Sequence, residues 1–234
     1  MKIYYHNGTG FDFAIVLNTI ATLRTDPAYS HLRFGKHTLE QLRFQPVNTN
    51  NERLLSIRFG PLRFVDSMQF TAKYGLGALI DSQLKLVPGK TLEEAFPLMA
   101  ARHPLARVNL EKLLRKIPFP YRELNETFWE KPALFPVEAY ANDLRETACT
   151  AEEYAEVQDI IETYGMRTAG EYHDCYLWTD VLALADCFEA MRGVFFKLFR
   201  LDMAHSLTMP SASMRAMKLQ IPKSFQLITE ENGG

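Results

Sequence analysis

A chain of 234 residues has length for one large domain or two small ones, with ample core. Apolar residues at 47% and charged ones at 23% are ordinary for a globular protein, and a net charge of −2 leaves nucleic-acid binding to local positive charge. Cys149, Cys175 and Cys187 form no C-x-x-C pair, no apolar run is long enough to span a membrane, and Met1-Lys2-Ile3-Tyr4 does not open a signal peptide; the expectation is an intracellular chain with reduced thiols and no membrane partner.

Lys2 to Tyr5 is a short apolar-aromatic run that predicts a buried strand. His6-Asn7-Gly8-Thr9-Gly10-Phe11-Asp12 follows, with two glycines for a tight turn. Phe13, Val16, Leu17, Ile20 and Leu23 then recur at helical spacing, which places Asp12 in a first helical turn, where the helix dipole favours an acid. A phosphate-loop reading of the glycines lacks both the Lys-Ser/Thr and the G-x-G-x-x-G pattern. Residues 24 to 52 mix Pro27, Gly35 and Pro46 and predict turns with a strand pair.

Residues 54 to 67 predict two strands joined at Gly60-Pro61. Arg53, Arg58 and Arg63 punctuate this region. They fit a solvated strand face, or a phosphate-tracking edge on which Phe59, Phe64 and Phe70 stack bases. A short helix is expected over residues 75 to 84. Residues 89 to 122 predict a helical, locally basic segment, with Arg102, Arg107, Lys112, Arg115, Lys116 and Arg122, ended by Pro118 and Pro120. Thr150-Ala151-Glu152-Glu153 is a capping box, opening a helix with the stripe Tyr154, Val157, Ile161 and Tyr164 and closed by Gly165.

The longest helical run extends from about His173 to Arg200. Apolar residues at 177, 181, 184, 188, 191, 195 and 198 predict one buried face. Tyr176 and Asp180, four residues apart, are neighbours on its surface beside that stripe. Such a pair serves either as hydrogen bonding near a helix start or as a metal-binding acid with a phenol that orients a water. Beyond Arg200 the text loosens through Met209-Pro210 and Ile221-Pro222 to a polar end.

Two of these stretches together carry a resemblance. His6 to Asp12, an Asn, a short spacer, an aromatic and an Asp, is similar to the second exonuclease motif of family B DNA polymerases. Tyr176-x-x-x-Asp180 resembles their third. Between them Phe64-Val65-Asp66-Ser67-Met68 lies where protein-primed members carry a Ser/Thr-Leu element that contacts single-stranded DNA, here with Met68 for Leu and Thr71 at an apolar position. Gly165 through Phe188 and Leu201 to Met217 also resemble the protein-primed branch found in mobile elements and viruses.

The resemblance implies an α/β, ribonuclease-H-like (DEDDy) 3′–5′ exonuclease fold, N-terminally incomplete. Residues 1 to 200 would be a partial exonuclease domain and 201 to 234 the start of the connection to the polymerase palm. It implies a fragment of a DNA-directed DNA polymerase whose parent hydrolyses 3′-terminal nucleotides with two Mg²⁺ or Mn²⁺ ions. Asp12 and Asp180 would be metal ligands, and Tyr176 would hold the attacking water. Asn7 and Phe11, with Ser67 and Met68, would touch the substrate. The implied partners are a single-stranded DNA 3′ end and primer–template DNA, with a terminal priming protein left open. No Asp-x-Glu, the family's first exonuclease motif, occurs anywhere in the sequence, and neither do the polymerase motifs. The fragment alone is therefore expected to have little or no activity, and a catalytically inactive single-stranded nucleic-acid-binding remnant is the alternative.

Overall fold

The computed structural model describes residues 1–10, 12–48, 54–71, 74–86, 88–142 and 146–222. The opening run is a strand, β1 (Lys2–Tyr5), and helix α1 (Asp12–Thr25) follows the glycine turn. The region expected to hold a strand pair does so, in β2 (Arg33–Phe34) and β3 (His37–Thr38), and adds β4 (Phe44–Asn48). β5 (Leu54–Phe59) and β6 (Leu62–Asp66) form the expected hairpin. Gly60 opens its two-residue loop at φ 56°, a left-handed conformation that costs glycine nothing.

Among the described residues the main sheet runs β1-β6-β5-β4. β1 is parallel to β6 and the other pairs are antiparallel. Mixed α/β is the class. The chain divides into two compact units, one of residues 1–73 with 192–234, the other of residues 74–191.

In the first unit α1 lays Phe13 and Ile20 against Ile57, Phe59 and Leu42, with Tyr5 and Phe64 packed beside them. Strand side chains alternate between faces, so Lys2, Tyr4, Arg58 and Arg63 take the other side. There a short 3-10 turn, Met203–His205, is tied down by Tyr4, whose hydroxyl donates to the Ala204 carbonyl at 3.2 Å. Phe59 and Phe70 are buried, and Phe64 packs in the α1 cluster, so these rings are core rather than base-stacking surfaces. Arg53 lies outside the described residues.

The second unit is helical. α2 (Leu76–Leu86) is followed by three short helices, α3 (Leu92–Ala95), α4 (Pro97–Arg102) and α5 (Leu110–Leu113). The long helical segment expected over residues 89 to 122 is thus broken. Pro97 begins a new helix, and Phe96 and His103 leave helical conformation. α4 has no side-chain cap of its own. Asp186, 3% exposed, supplies one by accepting the Leu98 and Met99 amides at 2.9 Å each.

α6 (Ala151–Tyr164) starts at the Thr150–Glu153 capping box and stops at Gly165, φ 63°, as its sequence predicts. α7 (Ala169–Phe199) starts earlier than expected. Its buried face is the expected stripe only in part: Phe188 and Phe195 are buried and Leu184 packs on the core, but Leu177, Val181 and Leu198 are exposed, and Tyr172, Cys175, Thr179, Leu182, Ala183 and Cys187 face inward. Most of the inward set is small, which lets neighbouring backbone come close, and hydrophobic periodicity counts only the large side chains. After Arg200 a further helix, α8 (Met209–Gln220), stands where the text seemed loose. Pro210 occupies its first turn under a Thr208 cap, a position where proline begins a helix instead of breaking one.

Candidate functional site

The parallel pairing of β1 with β6 sets Tyr5 beside Asp66, so both strands deliver their carboxyl ends to one place. Asp66 is 2% exposed. One of its oxygens accepts the amides of Asn7 at 3.1 Å and Met68 at 2.9 Å, and the other accepts Thr9 at 3.1 Å. A buried carboxylate is tolerable when amides solvate it this fully. The effect is to staple the Asn7 turn to the Ser67-Met68 turn, and the His6 ring, Nδ1 3.0 Å from the Ser67 hydroxyl, adds a second tie. Asn7, Ser67 and Met68 are therefore brought together.

Asp12 opens α1 just beyond. Its carboxyl is pushed above the ordinary range by burial and, secondarily, by the nearby Asp66 charge. Ser67 is fully buried, while Asn7 is exposed and Met68 half-buried. Phe11 lies outside the described residues. The glycines act differently from the tight-turn expectation. Asn7 itself carries the positive φ, 63°, and Gly8 leaves room where a Cβ would meet the Cβ of Tyr5 at 2.7 Å. Asparagine tolerates that backbone better than most residues.

In the second unit Tyr176 and Asp180 lie one turn apart on α7, and both meet Lys116. The Lys116 ammonium donates to the Tyr176 oxygen at 2.6 Å and to Asp180 Oδ2 at 2.5 Å, and sits 4.3 Å from the Tyr176 ring centre. The Tyr121 hydroxyl is 2.8 Å from that of Tyr176. Lys116 and Tyr121 flank Ile117-Pro118-Phe119-Pro120, whose Phe119 is buried against the Tyr172 and Tyr176 rings. Tyr172 fixes the segment further by donating to the Pro118 carbonyl at 2.6 Å. Two prolines and a buried ring thus hold both polar groups at defined positions.

An ammonium can only donate, so Tyr176 accepts from Lys116 and keeps its own proton for another acceptor. Burial first, then the Asp180 charge and the Tyr121 hydrogen bond, push the Tyr176 phenol far above its usual range. It remains a proton donor at any physiological pH. Lys116 and Tyr121 were not among the residues expected at the site. Lys116 is hidden in a basic run; what marks it is the proline-framed aromatic spacing to Tyr121 rather than its charge. Its neighbours Lys112 and Arg115 are spent on Asp159 and Glu156 of α6 at 2.5 and 3.5 Å, so these two charges of the basic segment are neutralised.

Among the described residues no group of three or more His, Cys, Asp or Glu is placed to hold a metal ion. Asp66 is saturated by amides, and one Asp180 oxygen faces Lys116. The donor set inside each unit does not by itself fit a divalent cation, which takes several oxygen ligands. No helix among the described residues is long and apolar enough to cross a membrane. Comparison of the chain with protein-family models, with curated proteins and with solved structures finds no match.

Proposed function

We propose that the chain carries the 3′–5′ exonuclease portion of a family B DNA polymerase of the protein-primed type, a ribonuclease-H-like module that receives single-stranded DNA 3′ ends. The observation that carries the reading is the Lys116–Tyr176–Asp180–Tyr121 cluster, because it equips the third-motif residues with groups suited to a phosphodiester. Tyr176 can donate to a water or a phosphate oxygen. Lys116 has a third proton to offer, and an ammonium there would stabilise negative charge that builds up on a phosphate during hydrolysis. Asn7 and the Met68 turn, held by Asp66, suit contact with the strand. The motif resemblance makes Asp12 and Asp180 cation ligands, each in its own unit, so added Mn²⁺ probes both.

The second reading is a strand-binding remnant without chemistry. It draws support from Lys116, which already neutralises Asp180 at 2.5 Å. Binding of a labelled oligonucleotide, followed by anisotropy with and without Mn²⁺, separates the two. On the exonuclease reading Mn²⁺ strengthens binding, and Asp12→Asn and Asp180→Asn each abolish that gain. Binding that ignores Mn²⁺ and both substitutions would leave the remnant and sink the exonuclease.

A further inference from the structure

The back of the first unit's sheet carries a row of cations in direct register. Lys2 of β1 pairs with Arg63 of β6, and Arg63 pairs in turn with Arg58 of β5. Directly paired residues share a face, so the three charges cross neighbouring strands side by side. Like charges placed opposite one another destabilise a sheet. Among the described residues none of the three forms a salt bridge. Lys2 instead donates to the carbonyls of Ala204 and Ser206, and Arg58 to that of Gly60 at 3.3 Å, partners that orient the cations without cancelling them.

The row lines a cleft of about 550 Å³ together with Met1, Arg192 and His205. The acid nearby, Asp202, is already engaged by Arg192 at 2.5 and 3.0 Å. Burial lowers the Lys2 pKa first and Arg63 lowers it further, with Asp202 acting against them and Arg215 adding a smaller push downward.

We infer that this cleft binds the phosphate backbone of a nucleic-acid strand, at a surface separate from the Asn7 turn. Strands lie about 4.8 Å apart, so the row is roughly 10 Å long. That length suits successive phosphates of an extended polyanion better than one small anion. The apolar rings of this sheet, Phe59 and Phe64, face α1 instead of the cleft, so the contact is with backbone and carries no base readout. The choice of single-stranded DNA as the occupant rests on the proposed function; the cationic row does not.

The full chain is titrated against a labelled oligo-dT in EDTA at a series of salt concentrations. The Arg58→Gln/Arg63→Gln double variant should bind several-fold more weakly. Its log–log salt slope should be shallower by about 1.4, from about 0.7 per phosphate contact. Arg58→Lys/Arg63→Lys should keep most of the slope, and the Gln variant should unfold no earlier than the parent because repulsion is relieved. Unchanged affinity and slope in the Gln variant would overturn the inference. So would tripolyphosphate that, at equal total phosphate, displaces the chain from DNA as well as unlabelled oligo-dT does, since the cleft would then be a small-anion pocket. With no metal present, failure here leaves the Mn²⁺-coupled effects of Asp12 and Asp180 untouched, and their failure leaves this slope untouched.

Discussion

The carboxylate of Asp66 accepts the amide of Asn7 at 3.1 Å, joining segments that lie far apart in sequence at the carboxyl ends of β1 and β6. The same group holds Thr9 and Met68, so removing it strands three amides in a buried place. Asp66→Ala should destabilise the chain by roughly 3 kcal/mol, the cost of buried donors left unmade. Asp66→Asn keeps one accepting oxygen and should lose about half of that. Urea unfolding reads both. An Asp66→Ala chain as stable as the parent would mean that the two turns hold their shape without the carboxylate.

Gly8 and Asn7 divide the demands of the turn between them. A Cβ at Gly8 would stand 2.7 Å from the Cβ of Tyr5 and 3.0 Å from the Phe13 ring, and the Tyr5 Cβ cannot swing away like a side-chain tip. Gly8→Ala should cost about 1–3 kcal/mol through overpacking. Asn7→Gly should be tolerated within about 1 kcal/mol, because glycine adopts a φ of 63° freely. Asn7→Val should cost more than Asn7→Gly. Thermal unfolding of the three variants checks the order, and Gly8→Ala as the mildest of them would contradict the packing argument.

Lys116 separates function from stability. The ion pair with Asp180 is partly exposed, with side chains at 47% and 26%, and pairs of that kind contribute about 0–1 kcal/mol. Lys116→Ala should therefore move the unfolding midpoint little. Oligonucleotide 3′-end binding in Mn²⁺, by contrast, should fall several-fold if the ammonium faces the strand. Tyr121→Phe should have a smaller effect in the same direction, since it removes only the 2.8 Å contact to Tyr176. Undiminished binding by Lys116→Ala would reduce the cluster to a structural clamp.

Local chemistry made the short-range features legible. The Thr150 capping box, the Gly165 stop and the Gly60 hairpin each depend on residues within a few positions, and each stands where the sequence puts it. The α7 stripe holds at Phe188 and Phe195 and fails at Leu177 and Val181, because Cys175, Thr179 and Ala183 pack inward without announcing themselves by size. α8 was missed because Pro210 reads as a breaker until Thr208 is recognised as a cap. Of the candidate site, Asn7, Asp12, Tyr176 and Asp180 were visible as motif residues. Asp66, Lys116 and Tyr121 were not, since their roles arise from contacts across about sixty residues, which no local pattern encodes.

Asp202 ties the end of α7 to the turn that covers the sheet's cationic face. It accepts from Arg192 at 2.5 and 3.0 Å and caps the Ala204 amide at 2.9 Å. The Arg192 hydrogen bonds, more than the Ala204 amide, lower its carboxyl to about 2. A depressed acid stabilises the folded chain in full above its unfolded value, near 3.9, and loses that contribution as pH falls through about 2. Both side chains are about a third exposed, so solvent screening reduces the contribution to about 1 kcal/mol. Asp202→Asn keeps an oxygen for the Ala204 amide and removes only the charge. It should unfold more easily than the parent at pH 7, by about that amount, with the gap closing between pH 4 and pH 2. Urea midpoints at pH 7, 4, 3 and 2 follow the gap. A gap that stays constant into acid would assign the stabilisation to the shape of the cap, and no gap at pH 7 would mean that the ion pair contributes nothing to the fold.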